Sequence, residues 1–368
     1  MLKPSYKITP LPPSVDLDTV PILKALASAN RALAELKGRA ATIPNQTILI
    51  DTLALQEAKA SSEIENIVTT QDDLFQADLF PEGPSSGAAK EVALYRDALK
   101  LGFDRLRATD GLITNSTLIA MFQLLKQRDG GFRETPGTAL KNETTGEIVF
   151  VPPQDAREIV SLMSDLERYI NAEHEDDLDP LVRMALIHHQ FESIHPFPDG
   201  NGRLGRILNV LYLARTGLLD IPVLYLSRYI TQNKDTYYRL LQAVRTEAAW
   251  EDWVLFMLNA VAETSATTLH LVEGIRQQMA DTKTRMRVEL PKLYSQDLLY
   301  NLFRHPYTRI DYVVQDLGVS RQTAAKYLDE LADKGIVQKV QAGRNNYFIN
   351  VELVALFLEV SSGETRPL

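Results

Sequence analysis

The chain contains no cysteine. Disulfides and thiolate metal sites are therefore excluded. It also lacks an apolar run long enough for a bilayer. The longest, near Trp253 to Ala262, falls well short of the ~20 residues that a spanning helix needs. Positive charge is in deficit, with 39 lysines and arginines against 48 aspartates and glutamates, a net of −9. The total charge thus gives no general pull toward nucleic acid. The first residues, Met1-Leu-Lys-Pro-Ser-Tyr-Lys-Ile-Thr-Pro10, hold no apolar signal core. There is no internal repeat and no low-complexity tract; Pro81-Glu-Gly-Pro-Ser-Ser-Gly87 is the clearest loop. These absences set the expectation of a cytoplasmic protein without membrane contact. What is present is ordinary for a globular chain: 45% hydrophobic and 24% charged residues, in 368 positions that suffice for two or three domains.

The informative stretch is His195-Pro-Phe-Pro-Asp-Gly-Asn-Gly-Arg-Leu-Gly-Arg206. It gathers a titratable base, a carboxylate, a Gly-Asn-Gly turn and two cations. Glycines let successive backbone N–H groups converge on an anion. Arginine matches phosphate oxygens with a planar fork of donors. A carboxylate favours a phosphate through a bridging Mg²⁺, and a neutral imidazole takes a proton from a hydroxyl. The apolar spacing of Ile207, Leu208, Val210, Leu211 and Leu213 predicts a helix opening at this turn, and Leu181 to Ile194 predicts another before it. The chemistry then lies in the loop of a helix–loop–helix, with a helix N-terminus suited to phosphate.

Plainer readings stand beside this one. Gly200-Asn-Gly-Arg-Leu-Gly205 spells G-x-G-x-x-G, with Asp220 near where a ribose-binding acid would sit. The dinucleotide fold needs a buried strand before the first glycine, and Pro196, Pro198 and Asp199 suit a loop instead. His195 taken alone is a structural histidine, Asp199 an N-cap, and Arg203 and Arg206 solvated charges. His188 and His189 point to different helix faces and read as packing or surface residues rather than metal ligands.

At these residues a family resemblance becomes plain. The segment resembles the Fic-domain signature H-x-F-x-[D/E]-G-N-G-R-x-x-R, with every fixed position filled. The related Doc toxins depart from Gly-Asn-Gly-Arg, and this chain does not. The resemblance implies nucleotidyl transfer, most often of AMP from ATP to a protein hydroxyl. It assigns His195 as general base and Phe197 as a core anchor. Asp199 becomes the Mg²⁺ ligand, and Gly200, Asn201, Gly202, Arg203, Leu204, Gly205 and Arg206 the nucleotide cradle. Within the cradle Arg203 meets the inner phosphates and Arg206 the γ-phosphate.

A second segment, Ser61-Ser-Glu-Ile-Glu-Asn66, sits in a run of helix formers. A helix places Ser61 and Glu65 on one face, by itself an ordinary polar face. It also resembles the family's inhibitory pattern [S/T]-x-x-x-E-[G/N], filled by Ser61, Glu65 and Asn66. The resemblance implies that Glu65 pairs with Arg206 and denies that cation to the γ-phosphate. A position before the signature marks the second class of the family.

Between the motifs, glycine and proline punctuation around Thr145-Gly-Glu-Ile-Val-Phe-Val-Pro-Pro153 predicts a β-hairpin. The resemblance places a target-binding flap there, with Ile148, Val149, Phe150 and Val151 offered for strand addition; a surface hairpin without a partner is the alternative. Tyr237 and Tyr238 match a Tyr-Tyr pair whose rings flank the base, one of them a core residue. The tail differs in character. Residues 290–350 hold eight cations and six acids, +2 locally, leaving −11 elsewhere. Ile310 to Gly335 reads as helix, turn at Gly318, helix, with Ser320 as N-cap and Gly335 just past the end. Ile336 to Ile349 alternates around Gly343. This resembles a winged helix-turn-helix that would set Arg321, Gln322, Thr323 and Lys326 in a major groove and Arg344 on the wing. The small charge excess equally suits protein docking.

The expected architecture is mainly α: residues 1–110 as an N-terminal helical region with the inhibitory helix, 111–285 as the Fic core with a small β-hairpin flap, and 286–368 as the winged-helix domain. The expected activity is Mg²⁺-dependent protein adenylyltransfer from ATP, autoinhibited by Glu65. Removal of AMP, transfer of UMP or phosphocholine, and a DNA-binding regulator with a secondary Fic portion stay open. So do self-modification and a homodimer.

Overall fold

The computed structural model describes residues 6–70, 73–74, 86–141, 145–172, 177–342 and 345–362. Gly343 and Arg344, expected on the wing, lie outside the described residues, as do residues 1–5 of the opening stretch and 81–85 of the loop named above. Among the described residues the chain is mainly helical with two small antiparallel sheets. It forms two compact units, each assembled from separated stretches: residues 1–34, 57–67 and 94–265 in one, 35–56, 68–93 and 266–368 in the other.

The elements run α1 (Val20–Ala40), α2 (Thr47–Ile64), α3 (Gly87–Ala108), α4 (Asn115–Lys126), β1 (Leu140–Lys141), β2 (Ile148–Phe150), α5 (Ala156–Asn171), α6 (Pro180–Ile194), α7 (Asn201–Arg215), α8 (Leu226–Gln232), α9 (Lys234–Glu247) and α10 (Trp250–Glu289). They continue as α11 (Gln296–Arg304), β3 (Tyr307–Thr308), α12 (Ile310–Leu317), α13 (Arg321–Asp333), β4 (Gln338–Ala342), β5 (Asn345–Ile349) and α14 (Val351–Ser362).

The first unit is built around α6 and α7. Asp179 caps α6 by accepting from the Leu181 N–H, and Pro180 takes the first helical position, where no N–H is needed. Every residue from Leu181 to Ile194 is buried. A helix buried on all sides shows little amphipathic contrast, which suits a central position. Helix α6 ends at His195 in the left-handed conformation (φ 50°, ψ 58°). Five residues later Gly200, also left-handed (φ 79°), leads into α7. Phe197 anchors this short loop. It is buried and stacks on Phe122 at 4.6 Å between ring centroids. The Asn201 side chain spans the loop, its Oδ1 accepting from the Phe197 N–H and its Nδ2 donating to the Phe197 carbonyl, each at 2.8 Å. Behind α6, His188 stacks on Trp253 and His189 packs edge-on against Trp250. Both histidines are interior packing residues.

Strands β1 and β2 form the expected hairpin, with Leu140 opposite Phe150 and Lys141 opposite Ile148. In the second unit, α12 and α13 are separated by left-handed Gly318, Ser320 caps α13 by accepting from the Thr323 N–H, and left-handed Gly335 follows its end. Strands β4 and β5 pair antiparallel, and β3 adds to β5, giving the order β3-β5-β4.

Candidate active site

His195 stands at the end of α6, one residue before the loop. Burial first, then the Arg133 and Arg245 charges, push its pKa down to about 4, against the opposing influence of Glu65 and the Glu192 carbonyl. The ring is therefore neutral at pH 7 and able to accept a proton. Its Nδ1 is buried with no partner at bonding distance.

The loop delivers a helix N-terminus beside this base. No side chain caps α7, so the N–H groups of its first turn are left for an anion. The N-cap is Gly200, not Asp199. The plainer expectation for Asp199 is corrected here: its Oδ1 accepts from the adjacent Gly200 N–H at 2.6 Å, too early in the chain to cap the first turn. Its Oδ2 meets the Lys126 ammonium at 2.5 Å, and the carboxyl is 61% exposed. Burial tends to raise its pKa, but Lys126, the Gly200 N–H and Arg203 outweigh that and hold it below the usual value. An ionised, accessible carboxylate already facing one cation is a donor that fits Mg²⁺. Among the described residues no three His, Cys, Asp or Glu side chains gather as a full metal cage.

The other cradle positions divide. Gly202 lies at the open end of α7 and Arg203 is buried beside it. Leu204 is buried, and Gly205 faces α6, its carbonyl 3.2 Å from His188 Nδ1. A Cβ on Gly205 would stand 2.6 Å from Glu192 Oε1 and 3.1 Å from Phe191 Cδ1. Leu204 and Gly205 thus serve helix packing, not the open face of the cradle.

Arg206 is 1% exposed, and its partners come from α2. Nε donates to Ser61 Oγ at 2.8 Å, and NH2 donates to the Ser61 carbonyl at 2.9 Å and to Glu65 Oε1 at 2.8 Å. Burial opposes its charge, yet Glu65 and the Tyr237 and Tyr95 hydroxyls outweigh this and raise its pKa. Glu65 also lies across Gly202, where a Cβ would stand 2.4 Å from Oε1. Glu65 falls just past Ile64, the last residue of α2, in a turn. Asn66 turns left-handed there (φ 60°) and accepts from Lys234 Nζ at 3.0 Å. Asparagine tolerates that backbone, which accounts for a Gly or Asn ending the pattern.

Of the four flap positions, Ile148 and Val149 are exposed, at 48% and 45%, while Phe150 and Val151 are buried. The last two anchor the strand and do not offer themselves to a target. The Arg245 guanidinium lies 3.8 Å above Phe150. Tyr237 is interior, its hydroxyl 2.8 Å from His188 Nε2, whereas Tyr238 is 45% exposed. The ring expected at the base is thus the buried member of the pair.

Sequence reasoning missed Arg133, Lys126, Glu57 and Glu192. Glu57 is buried and accepts from the Tyr95 hydroxyl at 3.0 Å, from the Ser227 N–H at 3.2 Å and from the Ser227 hydroxyl. It stands one and two helical turns before Ser61 and Glu65, a polar stripe that was readable. Burial first, against its hydrogen bonds and Arg206, lifts it to about 7. Glu192, buried beside Gly205, is likewise lifted to about 7 by burial, against Arg206.

Comparison with known families accounts for most of this frame. Residues 23–104 match the Fic/DOC family N-terminal model, 112–213 the Fic/DOC family model, and 278–353 the C-terminal domain of protein adenylyltransferase SoFic-like proteins. The chain is a Fic/DOC family protein. The Fic/DOC match covers His195 to Arg206, so the loop described above is the family's own segment. Among curated relatives, protein adenylyltransferase Fic from Drosophila yakuba is 32% identical over 129 residues, 35% of this chain and 24% of that protein. The counterpart from Drosophila willistoni is 30% identical over 148 residues, 39% of this chain and 28% of that one. The chain thus spans about a quarter of the curated relatives it matches. A Fic family protein from Desulfovibrio desulfuricans G20 shares the fold at a TM-score of 0.52 and 22% identity, covering 95% of this chain and 98% of its own. Fic-1 from C. elegans shares it at 0.53 and 20%, covering 70% and 74%. Among the described residues no helix is long and apolar enough to cross a membrane.

Proposed function

We propose that this Fic protein transfers AMP from ATP to a hydroxyl side chain of a target protein and that Glu65 restrains it. The observation that carries the reading is the sharing of Arg206: the motif's last cation, buried in α7, is bonded to Ser61 and Glu65, and the Glu65 charge also acts on the neutral His195. In the active state the triphosphate takes the place of Glu65. The N–H groups of Asn201 and Gly202 and the Arg203 charge hold the inner phosphates, and Arg206 holds the γ-phosphate. The target oxygen attacks the α-phosphorus, the bond to the bridging oxygen breaks, and pyrophosphate departs. The hydroxyl proton passes to His195. Asp199 would hold Mg²⁺, which supplies charge neutralisation at the phosphates. Such transfer depends on alignment and charge more than on covalent participation. The exposed half of the flap, Ile148 and Val149, would align an extended target segment. We read residues 1–110 as the restraining region, 111–285 as the catalytic core and 286–368 as a winged-helix docking module.

The test uses labelled ATP and the purified full chain. Glu65→Gly should raise incorporation at least tenfold, and His195→Ala in the same background should abolish it. Equal labelling with and without Glu65 would remove the restraint, and labelling independent of His195 would remove the reading. A second reading, removal of AMP from modified protein, is favoured by the 35% exposure of Glu65, which leaves its carboxylate accessible to water beside the cradle. AMP release from a modified protein, lost in Glu65→Gly, would select it.

A further inference from the structure

Arg133 precedes the flap by sequence and lies 62 positions before His195, yet it reaches the end of α6. Its Nε donates to the His195 carbonyl at 2.8 Å. Its NH2 is shared between the Ile194 carbonyl at 3.3 Å and the Pro153 carbonyl. Its own backbone N–H donates to the Pro196 carbonyl at 2.8 Å. Three consecutive carbonyls, those of residues 194, 195 and 196, therefore accept from one residue. The fourth belongs to the chain leaving β2.

Two physical arguments give this convergence a purpose. The last carbonyls of a helix lack partners and carry partial negative charge, so a buried guanidinium there is doubly favoured. His195 also holds a left-handed backbone (φ 50°). An L residue keeps that conformation only where its surroundings over-determine it. Arg133 supplies that determination at the base itself and on both sides of it. Through Pro153 it adds the flap to the same assembly. Gln154 secures the flap base, donating from Nε2 to the Pro152 and Thr138 carbonyls at 2.7 and 3.0 Å.

We propose that Arg133 is a positioning residue: it holds His195 in its working orientation and fastens the exit of the flap to it, so that a target hydroxyl laid along the flap arrives in register with the base. This rests on the reading of His195 as the base. The charges that act on the His195 ring are those of Arg133, Arg245 from α9 and Glu65 from the turn after α2, together with the Glu192 carbonyl of α6. Arg245 is itself fixed, its Nε donating to Ser193 Oγ at 3.0 Å.

The experiment compares Arg133→Lys and Arg133→Met with their parent, each as the full chain carrying Glu65→Gly. ATP affinity, kcat and the His195 ring resonances across pH are measured. ATP affinity should stay within about twofold while kcat falls about 10–100-fold, since a base misplaced by about 1 Å costs on that order. In Arg133→Met the loss of a nearby positive charge should also move the His195 titration upward, whereas Arg133→Lys should leave that titration near its parental pH with the ring resonances displaced. A kcat within twofold of the parent in both variants overturns the proposal, as does a loss shared equally with ATP affinity. Should Arg133→Met fail to fold, the lysine variant decides by kcat and ring resonances. Should the parent transfer no AMP, the functional reading fails but the resonances still decide: a His195 spectrum indifferent to both substitutions overturns the positioning role, and a displaced one supports it.

Discussion

Arg206 and Glu57 show how a few side chains set the state of the site. Arg206 is almost wholly buried, so its charge needs a partner in every state of the protein. Ser61 and Glu65 provide one now, and a γ-phosphate would provide the other. On the proposed reading, exchange between them, rather than steric blockade alone, would make the restraint reversible. Two turns earlier on α2, Glu57 ties the same helix to Tyr95 and Ser227 through three hydrogen bonds. Its pKa of about 7 lies above the ordinary 4.5, so the fold prefers the protonated form. That preference contributes fully below pH 4.5 and is lost as pH rises through about 7. The difference corresponds to about 3 kcal/mol. Glu57→Gln is neutral throughout and should gain on the parent by that order between pH 5 and pH 8 in denaturant titrations. A difference between the two proteins that stays flat with pH would mean that the folded state holds Glu57 ionised. Glu57 was legible as part of a polar stripe, but neither it nor Glu192 was legible as buried, because a glutamate in a helical run looks like a solvated face until the packing around it is known.

At the scale of elements, the crossing of α6 and α7 sets the distance between His195 and the first turn of α7. Their contact runs through Gly205, where a Cβ would meet Glu192, Phe191 and His188 Cε1 at 2.6, 3.1 and 3.3 Å. In an exposed helix, replacing glycine by alanine stabilises by about 1 kcal/mol. Here the methyl group forces two buried helices apart. Gly205→Ala should instead destabilise by about 1–3 kcal/mol, seen as a lower melting temperature of the full chain. An unchanged or raised melting temperature would mean that the crossing relaxes at little cost. This residue marks the limit of motif reading. The apolar spacing of 181–194 and 207–213 made both helices legible, and the loop chemistry singled out residues 195–206 as the candidate site. The same pattern gave Gly205 to the nucleotide, whereas its neighbours give it to packing. Arg133 carried no signal at all, since its meaning depends on a chain reversal that brings residue 133 to residue 195.

Across the whole molecule, charge decides what the C-terminal module can meet. The helix–turn–helix and hairpin were legible from Gly318, Ser320, Gly335 and the alternation of β4 and β5. Whether its cations are available was not, because that depends on which acids fold beside them. Arg321 is bonded to Asp311, Lys339 lies 2.6 Å from Asp329, and Lys326 lies 3.7 Å from Glu330. DNA affinity rests on phosphates displacing counterions from available cations. At these three cations a phosphate would first have to displace a carboxylate, in a chain of net charge −9. The full chain should therefore give no shift of a 30-base-pair duplex at ~0.15 M salt, a condition under which even non-specific binders hold DNA at 10⁻⁴–10⁻⁶ M. Replacing Asp311 and Asp329 by asparagine releases Arg321 and Lys339 and should produce weak, sequence-independent binding that disappears as salt is raised. A salt-sensitive shift by the unaltered chain would show that these pairs open readily and would restore nucleic acid as a partner. A shift in neither protein would leave the α13 face to protein docking, the role its neutralised surface suits.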